Sequence, residues 1–138
     1  MSNSFGGTVR EVDPVTRAIL RAFATGGRPQ GLALSADGTE LYVANEFEWL
    51  GVYSLASGNR LDSIPLAGGG VGLARSSDDA VLYVRLPWSG EVQIVSRTAH
   101  RAIKTLQTGG IPRRIAFTSD SRRAVIANES GWVDVVAR

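Results

Sequence analysis

The chain has 138 residues, 43% of them hydrophobic and 20% charged, with fifteen Lys and Arg against thirteen Asp and Glu for a net charge of +2. That composition supports a buried core and excludes a nucleic-acid-binding polycation. Cys is absent, which excludes disulfides, thiolate nucleophiles, Cys-ligated metals and covalent c-type haem attachment; no window approaches the ~20 apolar residues of a spanning helix, so membrane insertion is not expected.

The first strand-like run covers residues 7–12 and ends in the turn Asp13-Pro14-Val15-Thr16. Run a follows at 18–23 and is broken by Gly26-Gly27-Arg28-Pro29. Run b covers 31–34, the turn Ser35-Ala36-Asp37-Gly38 follows, run c covers 41–45 and run d covers 51–55. Asp and Gly supply the positive φ and the local backbone bonding that such a turn requires. A second set of runs lies at 61–66, 72–75, 81–85 and 91–95, and a third at 102–106, 114–117, 124–127 and 132–136. β-branched and aromatic residues dominate the runs, and Gly and Pro leave little room for helices between them.

The three sets are copies of one unit. Asp37, Asp78 and Asp120 occupy the same turn in each, which fixes a period of about forty residues. Four short strands per forty-residue unit is the blade of a β-propeller. The expected fold is therefore all-β, with three four-stranded antiparallel blades in one unit over 1–138 and repeats at about 18–55, 61–95 and 102–136. Asn3 aligns with Asn45 and Asn128, so residues 7–12 are a fourth run d, expected as a surplus and looser outer strand. Glu11 stands there where Ile94 and Val135 stand in the other copies.

Gly26-Gly27-Arg28-Pro29-Gln30-Gly31-Leu32-Ala33-Leu34-Ser35-Ala36-Asp37-Gly38 followed by Leu41-Tyr42-Val43-Ala44-Asn45 resembles the YVTN-type β-propeller repeat. Asp13-Pro14-Val15-Thr16 resembles that repeat's closing turn, and Gly90-Glu91-Val92-Gln93-Ile94-Val95 resembles its fourth strand. The resemblance runs along nearly the whole chain. It implies a propeller fold and leaves the function open, because such propellers serve many roles. Copy two departs from the pattern: Gly70 replaces Pro, Arg75 stands at the place of Leu34, and Arg85 stands at the place of Ala44. Ala36 replaces the usual Pro in copy one, and Val125 replaces Tyr in copy three.

Three blades do not close a ring, since propellers have about 4–8. An open stack leaves apolar faces and strand edges in water. A homodimer closing a six-bladed ring is the expected assembly. The alternative is a fragment of a longer propeller.

The candidate chemistry is sparse. His100, the one His, lies in the polar turn Arg97-Thr98-Ala99-His100-Arg101 with no second ligand nearby in sequence, and reads as a turn residue. Asp37, Asp78, Asp79 and Asp120 read as turn formers, not as a cation site. The Gly-Gly pairs at 26–27, 69–70 and 109–110 precede no Lys-Ser or Lys-Thr and open no helix, so they read as turns, not phosphate loops. Arg113, Arg114, Arg122 and Arg123, with Arg101 and Lys104, form a basic group diluted by Asp120 and Glu129. Trp49, Trp88 and Trp132 fall near the connections from run c to run d. They suit packing between blades, and with Arg85 they are the candidate ligand-binding residues, because loops at one end of a scaffold carry function.

No nucleophile elbow, dinucleotide fingerprint or ordered catalytic triad is present. The reading is a non-catalytic binding or scaffold module that self-associates and takes a protein or small-molecule ligand, without cofactor, metal or nucleic acid. The alternative is an enzyme, hydrolase- or lactonase-like or redox-associated, with its site in the channel of an assembled ring. The N-terminus carries no signal-peptide pattern, which as it stands places the chain in the cytoplasm; relatives implied by the resemblance are often exported.

Overall fold

Alternating apolar residues and short polar turns fold this chain into strands and nothing else. The computed structural model describes residues 1–138. Its strands are β1 (Ser2–Asn3), β2 (Thr8–Val12), β3 (Ile19–Ala24), β4 (Pro29–Leu34), β5 (Glu40–Asn45), β6 (Trp49–Ser54) and β7 (Arg60–Pro65), then β8 (Gly72–Arg75), β9 (Val81–Leu86), β10 (Glu91–Ser96), β11 (Arg101–Gln107), β12 (Pro112–Phe117), β13 (Arg123–Asn128) and β14 (Trp132–Ala137). They form four consecutive antiparallel sheets: β1-β2-β3, β4-β5-β6-β7, β8-β9-β10-β11 and β12-β13-β14.

The all-β class and the propeller-like stacking stand as expected, but the grouping of runs into blades does not. Three four-stranded blades were expected over 18–55, 61–95 and 102–136; the sheets run instead as b, c, d and then the following run a. Run a hairpins onto the run d before it, as β3 does on β2 and β7 on β6. The Gly-Gly turn, with φ of 69° and 54° at Gly26 and Gly27, then carries the chain from the outer edge of one sheet to the inner strand of the next. Two sheets are complete and the two terminal sheets have three strands each. Residues 7–12 are consequently no surplus strand: β2 is paired on both sides, by β1 and β3, and Glu11 makes an ion pair with Arg21 across the ladder.

Period-two alternation sends successive side chains of each middle strand into different interfaces. Leu41, Val43 and Tyr53 face the N-terminal sheet and pack with Val9 and Phe23. Tyr42, Ala44, Leu50, Val52, Ile64 and Leu66 face the other way, against Leu82, Val84, Leu86 and Val95 of the next sheet. Val81, Tyr83, Val92 and Ile94 then meet Ala124 and Ile126 of the last sheet. This is why β5, β6, β9 and β10 are buried on both faces, whereas Val133 and Val135 of β14 are 59% and 63% exposed.

The inner strands β4, β8 and β12 lie side by side. At Gly31 the approach is so close that a Cβ would stand 2.6 Å from the Gly72 Cα. A charged seam ties the two complete sheets at the end holding the b-to-c turns. Arg97 Nε lies 2.9 Å from Asp79 Oδ2, and Arg97 Nη2 lies 3.6 Å from Asp37 and 3.9 Å from Glu40. His100 is half-buried there, with Nδ1 3.1 Å from Asp62 Oδ2 and Nε2 3.9 Å from Glu40. Its partners come from the neighbouring sheet, which is why the sequence around His100 gave no sign of them.

Candidate functional site: a basic cavity on the inner strands

Two of the three inner strands, β4 and β12, begin with the same irregularity. In β4 the pairing with β5 slips between Pro29 and Gly31, and in β12 the pairing with β13 slips between Pro112 and Arg114. The bulged residues are Gln30 and Arg113; Val71 holds the matching place before β8. A bulge re-aims its side chain, and here the two bulged residues and Val71 line one cavity of about 410 Å³. Gly31, Gly72 and Arg114, one residue further on, line it too, with Leu73, Ile115 and Arg85. Three consecutive repeats thus contribute equivalent positions to one site.

The repeats are unequal there. Gly31 pairs with Ala44, Gly72 with Arg85, and Arg114 with Ala127. The first repeat has two small residues at this place. The second has Arg from strand c lying across Gly, and the third has Arg from strand b opposite Ala. A Cβ at Gly72 would displace the Arg85 guanidinium, standing 2.8 Å from Nη2.

Arg85 is half-buried, and its Nη1 donates to the Pro112 carbonyl at 3.4 Å, a long bond reaching into the next sheet. Burial pushes its guanidinium below the usual arginine range, and the neighbouring charges of Arg113 and Arg114 push the same way. Arg113 is paired with Glu129, whose carboxylate raises the Arg113 value and is itself held low by the guanidinium. Arg85 and Arg114 make no ion pair. The cavity carries uncompensated positive charge and offers N–H donors; it has no carboxylate, imidazole or hydroxyl in its lining. Chemically it is suited to holding an anion, not to moving a proton.

Of the candidate residues, Arg85 lies in this cavity. The three tryptophans sit outside its lining, each over the Gly-Gly turn of its own repeat: the Trp49 ring covers Gly27, Trp88 covers Gly69 and Trp132 covers Gly109. Trp88 is 68% exposed and Trp49 is half-buried. Arg113 and Arg114 separate from Arg122 and Arg123, which lie at the other end of the sheet around β13's start. Gln30, Val71 and Gly72 were not singled out from sequence. Their signal was their place in the repeat, just after the Gly-Gly-x-Pro turn, where copy three reads Arg113-Arg114.

No family model matches the chain, and no curated protein matches it. Among solved structures, a chain of Kuenenia stuttgartiensis hydrazine synthase superposes on 98% of this chain with a TM-score of 0.88 at 21% sequence identity. This chain spans 41% of that one. The likeness is one of fold.

Proposed function

We propose that this chain is a non-catalytic binding module of the YVTN-like propeller kind, and that it receives a small anionic ligand in the cavity at the inner ends of its blades. The observation that carries this reading is the set of three arginines on one cavity, two of them without a carboxylate partner. Arg85 is half-buried, a guanidinium in that position is costly unless paired, and an incoming anion supplies the missing partner. The activity of the hydrazine synthase chain is not carried over, because a 21% likeness over part of that protein supports the fold only. A catalytic reading finds no base or nucleophile among the lining residues.

Titration calorimetry with inorganic phosphate, sulfate and acetate tests the reading. At least one anion is expected to bind with a Kd on the order of 1 mM or tighter, and Arg85→Gln is expected to weaken it by about tenfold or more, as loss of a charge-assisted hydrogen bond does. Absence of binding by all three overturns it.

Self-association belongs to the same proposal. Val133 and Val135 on the last sheet and Ile19 and Leu20 on the first are exposed. At roughly 25 cal/mol per Å², burying such faces against a second copy offsets part of the entropic cost of docking. Light scattering is expected to give the mass of two chains; a monomer at high concentration overturns this part.

A further inference from the structure

We infer that the anion held in the inner cavity is a phosphate monoester dianion carrying a short apolar group; this deepens the anion-binding reading and rests on it. Three observations carry the inference. Arg85 and Arg114 are the two unpaired guanidiniums on the cavity, so the charge left for a ligand to neutralise is two, not one. That charge lies to one side. Arg113 and Arg114 belong to β12, and Arg85 lies across Gly72 and reaches the β12 carbonyl of Pro112, whereas Gln30 and Gly31 of β4 on the other side are uncharged. A dicarboxylate with separated charges needs cations at both ends; a single tetrahedral dianion needs them at one. Finally, about 410 Å³ exceeds what a bare phosphate fills, and Val71, Leu73 and Ile115 are the apolar residues among its lining. Planar guanidinium forks match the oxygens of a phosphoryl group two at a time.

The test is titration calorimetry on the whole chain with methyl phosphate, butyl phosphate, dimethyl phosphate and succinate. Methyl phosphate and dimethyl phosphate share a head group and differ in charge, so the pair isolates the dianion. Methyl phosphate is expected to bind at least about tenfold more tightly than dimethyl phosphate or succinate, and butyl phosphate more tightly than methyl phosphate. A phosphate monoester loses its second charge near pH 6 while arginine stays charged. Affinity is therefore expected to fall by up to about tenfold per pH unit below about pH 6. Arg114→Gln, at an exposed position, is expected to lower methyl phosphate affinity by about tenfold without changing the melting temperature, and Arg101→Gln on the outer strand β11 to leave it unchanged. Equal affinity for methyl and dimethyl phosphate, tighter binding of succinate, or a flat profile from pH 7 to 5 overturns the dianion inference and leaves anion binding standing. Failure of every anion, inorganic phosphate included, overturns the underlying reading.

Discussion

Asn45 is fully buried at the end of β5, and its side chain ties two turns together. Its Oδ1 accepts from the Arg28 and Phe47 amides at 2.9 and 3.0 Å, while Nδ2 donates to the Gly26 carbonyl at 3.1 Å. Asn128 repeats the arrangement with Ile111, Ser130 and Gly109. Copy two has Leu86 at that position; there the buried Gln93 accepts from the Ala67 amide at 3.0 Å instead. Asn45→Ala leaves buried backbone groups unsatisfied and is expected to cost about 1–3 kcal/mol, measured by denaturant unfolding; a change within error contradicts the stapling role. The recurring turn aspartates act on the same scale. Asp37 accepts from Ser35 Oγ at 2.6 Å and from the Thr39 amide and hydroxyl, and these bonds pull its pKa down to about 2. Asp78 and Asp120 are lowered in the same way by Ser76 and Thr118. A lowered folded-state value means the unfolded chain binds protons first as pH falls. Stability from these turns is thus fully present above about pH 4 and is lost as pH falls towards about 2. Acid unfolding of Asp37→Asn is expected to show a shallower pH dependence over that window than the parent chain.

Among the elements, the inner strands are the most constrained, because β4, β8 and β12 meet where the blades are narrowest. Gly31 sits 2.6 Å, as its missing Cβ would be placed, from Gly72 Cα and 2.9 Å from the Leu73 nitrogen. Both neighbours are backbone and cannot swing away. Gly31→Ala is expected to destabilise the chain by about 1–3 kcal/mol through overpacking. Gly68→Ala is the comparison, since its Cβ meets nothing nearer than 3.8 Å and its φ is not positive. Equal melting temperatures for the two variants contradict the close approach of the inner strands. The same crowding shapes the cavity: a Cβ at Gly72 would displace Arg85 from its place across the inner strand.

On the scale of the whole molecule, stability resides in the three layers between sheets, and the N-terminal strands contribute one of them. Val9 is 3% exposed and helps to cover Leu41, Val43 and Tyr53, which are 5%, 1% and 1% exposed. Ser2 and Ser4 bond the Gln30 and Pro29 carbonyls at 3.1 and 3.0 Å, tying the first strands to β4. Deleting residues 1–12 uncovers that face and strips β3 of its pairing. The expected loss is about 3–5 kcal/mol, comparable to a large core truncation, seen as a lowered thermal midpoint. An unchanged midpoint returns residues 7–12 to the role of a dispensable outer strand.

The sequence alone determined the all-β class, the repeat period and the turn chemistry, because each depends on neighbours in the chain: alternation along a strand, Asp and Gly in a hairpin, Gly-Gly at positive φ. It also marked Arg85 as a break in the repeat and Arg113 and Arg114 as members of a basic group. Tertiary structure decided which sheet each run joined, since run a is flanked in sequence by two runs and only the hairpin onto run d satisfies its hydrogen bonds. It also decided that Arg85, Arg113 and Arg114 meet. The side-by-side packing of inner strands sets that proximity across residues 30 to 115, and no local pattern encodes it. The same reason hid the carboxylates around His100, which lie 38 and 60 positions away along the chain and reach it only because two sheets stack.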